Sequence, residues 1–279
     1  MQLKVFSYLE IILMLENCKM KKGISHQGCI PMRQNPGHRS EMISQLLFSE
    51  AFTIIEEDQG WLQIALDFDG SEGWIDKESV QVIESSNEAL DTSQSSFRVV
   101  THPAITALDL KAGQQLILPA GSIWPSGTAT KVEWQGRFFE LISKDGLITP
   151  GKEVDLGEIG ERLLSLPALH GGRCGFGFDA PGLVQMLCRL RGLQIPRTSK
   201  AQSEQGNAIN FMHEVAAGDL AFFDNIEGEI DHVGLLLEGG RVLHAYQQVR
   251  IDRFDQQGIY CVDRDKYTHK LRIIKRIEE

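Results

Sequence analysis

The chain has 279 residues, enough for one large domain or two to three small ones, with an ordinary globular balance of 42% hydrophobic and 24% charged residues. Its net charge of −10 disfavours nucleic acid and anionic membrane surfaces as main partners, because both are bound through basic patches. The five cysteines are odd in number, irregularly spaced and without a CxxC pair, which disfavours a disulfide framework or zinc knuckle and indicates reduced thiols.

Residues 1–19 are predicted to be an N-terminal extension. Its apolar segment 8–16 is too short to span a bilayer, carries two glutamates and lacks the cleavage site of a signal peptide. Met20, followed by two lysines, is a more ordinary start, so the segment is either an extension from an upstream start or a short surface helix. No later segment reaches transmembrane length. We therefore expect a soluble cytoplasmic protein without a membrane partner.

Residues 20–84 are predicted to form a small antiparallel barrel. The β-like runs FTIIEED, GWLQIALD and GWIDKESVQVI are separated by Asp/Gly turns. Such regular turn signals are typical of small barrels. Residues 85–96 are polar and are predicted to be a linker. Residues 97–150 repeat the pattern with five short strands (FRVVT, ITALDL, QQLILPAGS, KVEWQGRFFELI and GLITP) and are predicted to form a second barrel.

Residues 151–279 have the pattern of an α+β domain. The run DLGEIGERLLSLP (155–167) predicts a helix that Pro167 stops, and PGLVQMLCRLRG (181–192) predicts a second helix. Pro181 suits the first helical position, and Gly192 suits the C-cap. Five strand-like runs follow: DLAFF, HVGLLLE, RVLHAY, QVRID and LRIIKRI. Helices followed by an antiparallel sheet indicate the α+β class.

The start of the second helix is a place where a cysteine would be reactive. The helix dipole and the free N–H groups of the first turn favour a thiolate over a thiol, and a nearby histidine can accept its proton. The residue in this place is Ala180, which has no reactive group. The chemistry of the site therefore depends on residues supplied by other elements.

His232 and His244 are the candidate partners, on neighbouring predicted strands. If residues 238–240 form a three-residue hairpin loop, Leu237 pairs with Arg241 and the two histidines point to the same face. A two-residue loop would place them on opposite faces. The pattern of the strands alone leaves both alternatives open.

Several motifs resemble a known family. GGRCGFGFDAPGLVQ, LQIPRTSKAQSEQG, AGDLAFFD and DHVGLLLEGGRVLHA, in this order, are similar to the NlpC-type family of papain-like cell-wall cysteine peptidases, over roughly residues 155–279. SEMISQLLFSE followed by GWLQIALDFDGSEGWID resembles the first bacterial SH3 barrel of the γ-D-glutamyl-L-diamino acid endopeptidase branch. The resemblance implies a papain-like NlpC-type α+β domain preceded by two small SH3-like barrels. It also implies short peptidoglycan peptides with a free N-terminal L-Ala as substrates.

The resemblance places the family's Cys-His-His triad on Ala180, His232 and His244. The family motif D-C-S-G reads D-A-P-G in this chain, so the nucleophile is missing and the substrate-holding serine is Pro181. A tyrosine and a tryptophan that usually precede the double glycine are replaced in a segment that contains Ala168 and His170.

The remaining substrate positions are partly kept. The resemblance assigns Asp179 as the carboxylate partner of the substrate amine and Glu50 as an acidic substrate-binding residue, while a tyrosine of the SH3 barrel is replaced by Ser71. An engineered inactivation would change Ala180 alone. The several departures indicate a natural loss of activity.

We therefore predict a catalytically silent relative that uses no cofactor or metal and binds a short peptidoglycan peptide, or a protein partner. One alternative is a hydrolase that uses Cys174, or a metal held by His170, His232 and His244. Another is a pure interaction module whose cleft is closed by His170 and Pro181. Cys188 is expected in the core, and Cys29 and Cys261 at strand edges.

Overall fold

The computed structural model describes residues 21–83, 97–134 and 136–277. The predicted N-terminal extension (1–19) and linker (85–96) lie outside these ranges. Within the described residues, none of the helices has both the length and the apolar character needed to cross a bilayer.

The first unit is a seven-stranded antiparallel sheet in the order β3-β2-β6-β5-β4-β1-β7. Its strands are β1 (Lys22–Ile24), β2 (Cys29–Arg33), β3 (Met42–Leu47), β4 (Ala51–Asp58), β5 (Trp61–Leu66), β6 (Glu72–Asp76) and β7 (Gln81–Ile83). Along β5 every second residue is buried, as expected for a strand with one face on a core. The turn predicted after β4 is a two-residue loop, in which Gln59 and Gly60 both have positive φ (44° and 87°), as tight hairpins require.

The second unit consists of two antiparallel sheets, in the orders β10-β9-β13-β12 and β11-β8-β14. Its strands are β8 (Arg98–Val100), β9 (Ala104–Asp109), β10 (Gln114–Pro119), β11 (Ile123–Trp124), β12 (Lys131–Trp134), β13 (Arg137–Leu141) and β14 (Leu147–Ile148). The prediction of five strands was wrong. The run at 131–142 folds back on itself as a hairpin, with Trp134 paired to Arg137, and β11 is only two residues long.

The third unit packs its helices against a seven-stranded sheet in the order β17-β23-β18-β19-β20-β21-β22. The helices are α1 (Leu156–Arg162), α2 (Ala180–Leu190) and α3 (Ser199–Ser203). The strands are β15 (Arg173–Cys174), β16 (Gly177–Phe178), β17 (Asn207–Ile209), β18 (Leu220–Asp224), β19 (Ile230–Leu237), β20 (Arg241–Tyr246), β21 (Gln248–Asp255), β22 (Gly258–Cys261) and β23 (Lys266–Arg276). Helix α2 is buried along almost its whole length, so the sheet holds its N-terminus in place.

Helix α1 ends earlier than predicted. It stops at Arg162, five residues before Pro167, because Ser165 adopts a positive φ of 69° and its N–H donates to the carbonyl of Val249 at 2.9 Å. This hydrogen bond to β21 is a long-range contact, which the local sequence does not reveal. Of the two hairpin loops that the sequence left open, the structure has the three-residue one, since Leu237 pairs with Arg241.

The three units meet in a tight joint. Phe48, which follows β3, is fully buried in the core of the second unit, with its ring centroid 5.1 Å from that of Phe139. Gly175 lies so close to the second unit that a Cβ atom on it would be 1.8 Å from the carbonyl oxygen of Pro103. Both contacts fix the barrels against the domain that carries α2.

Candidate functional site

The N-terminus of α2 is built by Asp179. Its backbone is extended (φ −85°, ψ 170°), and its side chain accepts a hydrogen bond from the N–H of Gly182 at 2.7 Å, as an N-cap does. Pro181 occupies the first turn, where its missing N–H is tolerated. Ala180 is the first helical residue, so its methyl group lies where the helix would stabilise an anion. A methyl group cannot ionise or attack a carbonyl.

The two predicted histidines form a hydrogen-bonded chain with two residues of β21. His232 Nε2 lies 2.9 Å from His244 Nδ1, and His244 Nε2 lies 3.0 Å from Asp252 Oδ2. Asp252 is held in turn by the guanidinium of Arg250, at 2.6 and 2.8 Å. Of the two alternatives that the sequence left open, the structure has the one in which both histidines face the same side. Sequence reasoning missed Asp252 and Arg250, although their position on the strand after His244 was the available signal.

The hydrogen-bond network assigns the imidazole tautomers. Asp252 accepts from Nε2–H of His244, so His244 Nδ1 accepts from Nε2–H of His232. Nδ1 of His232 is then the unprotonated nitrogen. Burial lowers the pKa of His232 well below its ordinary value, and neighbouring His269 and His244 lower it further. Burial also lowers the pKa of His244, and Asp252 only partly offsets this effect. The pair is therefore neutral at pH 7, with a proton acceptor at one end.

A cavity of about 490 Å³ contains most of the predicted site. Six predicted residues line it: Ala168, His170, Asp179, Ala180, Pro181 and His232. Ile43 of β3 contributes a wall from the first barrel, and Arg197 and Lys200 add positive charge. His244 is fully buried behind His232. Glu50 and Ser71 do not line this cavity.

Comparison with known proteins agrees with this arrangement. Residues 167–265 match the NlpC/P60 family, and residues 32–80 match the bacterial dipeptidyl-peptidase SH3 domain. The chain carries an NlpC/P60 domain. These matches confirm the resemblance drawn from the sequence motifs.

Two relatives are named gamma-D-glutamyl-L-lysine dipeptidyl-peptidase. The protein from Bacillus cereus is 26% identical over 232 residues, covering 74% of this chain and 68% of its own. The protein from Bacillus subtilis is 26% identical over 226 residues, covering 72% and 71%.

Solved structures show the same fold. An NlpC/P60 family protein from Bacillus cereus superposes with a TM-score of 0.78 at 19% identity, covering 91% of this chain and 99% of its own. An NlpC/P60 endopeptidase from Photobacterium damselae gives a TM-score of 0.62 at 16% identity, covering 92% and 71%. The predicted fold class, an α+β NlpC-type domain preceded by SH3-like barrels, is confirmed.

In this NlpC/P60 domain the carboxylate of Asp179 is already fully engaged. Both of its oxygens accept from Arg197, at 2.9 and 2.5 Å, and the N–H of Gly171 donates to it at 3.0 Å. Arg197 also reaches Ser44 of the first barrel. A substrate amine, the partner that the sequence assigned to Asp179, would have to compete with this guanidinium. Sequence reasoning missed Arg197, which lies 18 residues away along the chain.

Glu50 joins the first barrel to the NlpC/P60 domain. Its carboxylate is buried and accepts from Arg173 at 2.8 and 3.0 Å and from Arg189 at 2.7 Å. Burial opposes its ionisation, but the two guanidiniums outweigh burial and hold the pKa of Glu50 below its ordinary value. These contacts give Glu50 a structural role that the sequence did not predict, and its role in substrate binding stays a prediction.

Ser71 and His170 also have structural partners. The N–H of Ser71 donates to Asp69, whose other oxygen accepts from Gln185 in the middle of α2, away from the cavity. His170 lies at the cavity rim and pairs with Glu41 of the first barrel at 2.6 Å. The structure does not bring His170 to the histidine pair. His269 of β23 is there instead, stacked on His232 with ring centroids 4.0 Å apart, and sequence reasoning gave no signal for it.

Cys174 lies outside the cavity that contains Ala180 and His232. It is fully buried, it does not line the cavity with Ala180, and its Sγ lies 3.9 Å from Sγ of Cys29 in the first barrel. These contacts oppose the alternative in which Cys174 acts as the nucleophile. Cys188 lies in the core, as predicted.

Proposed function

We propose that this protein is a catalytically silent relative of the γ-D-glutamyl-L-lysine dipeptidyl-peptidases, and that it binds a short peptidoglycan-type peptide without cutting it. The observation that carries the proposal is the methyl group of Ala180 at the N-terminus of α2, in the same cavity as His232. A cysteine peptidase must form an acyl-enzyme through a thiolate. In the serine peptidase subtilisin, removing the nucleophile alone lowers kcat by about 10⁶.

Retention of a ligand cleft is supported by the cavity itself. Its volume of about 490 Å³ falls within the usual range for ligand pockets. Lys200 lines it and, by leaving its exposed partner Glu229, suits a carboxylate of a γ-glutamyl peptide, while Asp231 on the same wall suits an amine. Because Asp179 is already paired with Arg197, we expect weaker binding than a free Asp179 carboxylate would give.

Isothermal titration calorimetry with L-Ala-γ-D-Glu-L-Lys tests the proposal. We expect a saturable binding heat that returns to baseline, and mass spectrometry of the mixture should show intact tripeptide. The variant Lys200→Glu should weaken binding at least tenfold, because it reverses a charge that faces the cavity. The matched control is Lys131→Glu, which makes the same charge change on exposed β12 of the second unit and should bind as the wild type does.

Two results would contradict the proposal at different points. Release of free lysine would show that the site is not silent. Absence of a saturable heat at two well-separated temperatures, where a change in heat capacity prevents the enthalpy from vanishing at both, would show that no peptide site is retained.

A further inference from the structure

We propose that His232, His244 and His269 form a binding site for one divalent transition-metal ion of the zinc class. Each residue offers one imidazole nitrogen, and the three nitrogens all lie within 4.8 Å of one another. Imidazole is a ligand suited to zinc, copper and nickel. The inference goes beyond the proposed function, because it requires no peptide to bind.

The surrounding hydrogen bonds select the ligand atoms. His244 Nε2 is occupied by Asp252, which leaves Nδ1 for the metal. His269 Nδ1 lies 2.9 Å from Oγ1 of Thr268, which leaves Nε2. His232 Nε2 already faces His244 Nδ1 at 2.9 Å. A metal would take the place of the proton between these two nitrogens, and the neutral His232 ring would carry its hydrogen on Nδ1 instead.

The required movements are small. Zinc–nitrogen bonds of about 2.0–2.1 Å in tetrahedral geometry place ligand nitrogens about 3.3 Å apart. The His232–His244 pair therefore opens by only about 0.4 Å. His269 must tilt away from its stack on His232, where the rings are inclined by 21°. It is the half-buried member of the three and borders open space, so it is the ring that can turn.

The hydrogen bond between His244 and Asp252 is of the kind that supports metal-binding histidines. A ligating histidine typically donates its second N–H to a carboxylate, which fixes the ring and raises its basicity. Asp252 does this for His244, and Arg250 fixes Asp252 through two hydrogen bonds.

An ion has a route to this site. A cavity of about 840 Å³ borders both His232 and His269, and two carboxylates, Asp224 and Asp231, line it with one cation, Lys270. Negative side chains around a cleft attract cations. With three nitrogen ligands, one position of a tetrahedral zinc ion remains for water or another ligand, as in catalytic rather than structural zinc sites.

Calorimetric titration of the chelator-treated full chain with Zn²⁺ tests the inference. We expect one ion per chain, and Co²⁺ should give the intense visible absorption of a four-coordinate site. His269→Ala should weaken binding at least tenfold. His213→Ala, which removes an exposed histidine stacked on Phe211, is the matched control and should bind as the wild type does.

Asp252→Asn should weaken Zn²⁺ binding about 10–100-fold without changing the stoichiometry, as expected for a residue that orients a ligand. A measurement on the wild type avoids variants that fail to fold. Zn²⁺ should protect His269, the partly exposed member of the cluster, from modification by diethyl pyrocarbonate and leave His213 unprotected. A dissociation constant above about 1 mM (a binding free energy weaker than about −4 kcal/mol) would overturn the inference. So would unchanged affinity in a folded His269→Ala protein, or protection that excludes His269.

Discussion

At the scale of single residues, this site differs from a cysteine-dependent one at position 180, where Ala180 carries a methyl group and no thiol. The helix N-terminus, the neutral histidine pair and the orienting carboxylate of Asp252 are all in place around Ala180. The helix N-terminus would lower the pKa of a thiol at this position, His232 would accept its proton, and Asp252 orients His244 behind His232. Ala180 therefore leaves such a site without a nucleophile.

The variant Ala180→Cys tests this interpretation. The introduced thiol should have a pKa below the ordinary value of about 8.5, because the helix dipole and His232 favour the thiolate. Iodoacetamide at pH 6, with mass spectrometry of the labelled sites, should modify it quickly. Cys188 is the control within the same chain, since burial raises its pKa to about 12. An introduced thiol that reacts at pH 6 no faster than free cysteine would contradict the assignment.

Glu50 provides a second test at this scale. Glu50→Gln leaves Arg173 and Arg189 buried without a countercharge, which should lower the free energy of unfolding at pH 7 by about 3–5 kcal/mol. Because the folded-state pKa of Glu50 is depressed, its contribution is present above the unfolded value of about 4.3 and is lost as the pH falls through the folded value.

Urea unfolding of both proteins between pH 3 and pH 7 measures this. The difference between wild type and variant should be constant above pH 6 and shrink in the acid range. Glu56→Gln, an exposed change on β4, should have little effect at any pH. A difference that grows on acidification would refute the assignment.

At the scale of elements, helices α1 and α2 both begin with an aspartate N-cap, but the two aspartates differ in their other partners. Asp155 caps α1 through two N–H groups and is otherwise exposed. Asp179 caps α2 and also pairs with Arg197, whose side chain is only 9% exposed. The second cap therefore fixes α3 and the first barrel as well as its own helix.

This difference predicts unequal costs for the same substitution. Asp155→Ala should lower the free energy of unfolding by about 1 kcal/mol, the usual value of an N-cap. Asp179→Ala should cost about 3–5 kcal/mol, because it leaves the guanidinium of Arg197 buried and unpaired. Thermal or urea unfolding of both variants provides the comparison, and equal losses would show that the ion pair contributes nothing.

Local signals account for what the sequence predicted at this scale. Pro181 in the first turn and the strand runs of the first barrel are decided by neighbouring residues and were predicted, whereas the loop at 238–240 was one of two alternatives that the sequence left open. The early end of α1 was not foreseen, because a strand 80 or more residues away determines it. Arg197 and His269 were missed because their partners, Asp179 and His232, lie on other elements of the fold. The ion pairs of Glu50 join residues 123 and 139 positions apart and were missed for the same reason.

At the scale of the whole molecule, the barrels and the NlpC/P60 domain share interior surfaces. Phe48 follows β3 of the first barrel, but its side chain is part of the core of the second barrel. There its ring lies between those of Trp124 and Phe139. The family comparisons matched the first barrel and the NlpC/P60 domain, and the joint between the units could be seen only in three dimensions.

Phe48→Ala should therefore destabilise more than one unit. Loss of a fully buried phenylalanine costs about 3–5 kcal/mol, and in this position the barrels should also lose their common transition in differential scanning calorimetry. Phe138→Ala removes the same side chain from an exposed position on β13 and should shift stability by less than about 0.5 kcal/mol. A single, slightly shifted transition in Phe48→Ala would mean that the joint is not cooperative.

The close approach of Gly175 to the second barrel also has a consequence for relatives of this chain. The Cα of Gly175 rests against the carbonyl of Pro103, with no room for one additional carbon atom. A homologue with any larger residue at this position must seat its second barrel differently or lack it. Position 175 thus serves as a marker, readable from sequence alone, for which members of a family could share this three-part arrangement.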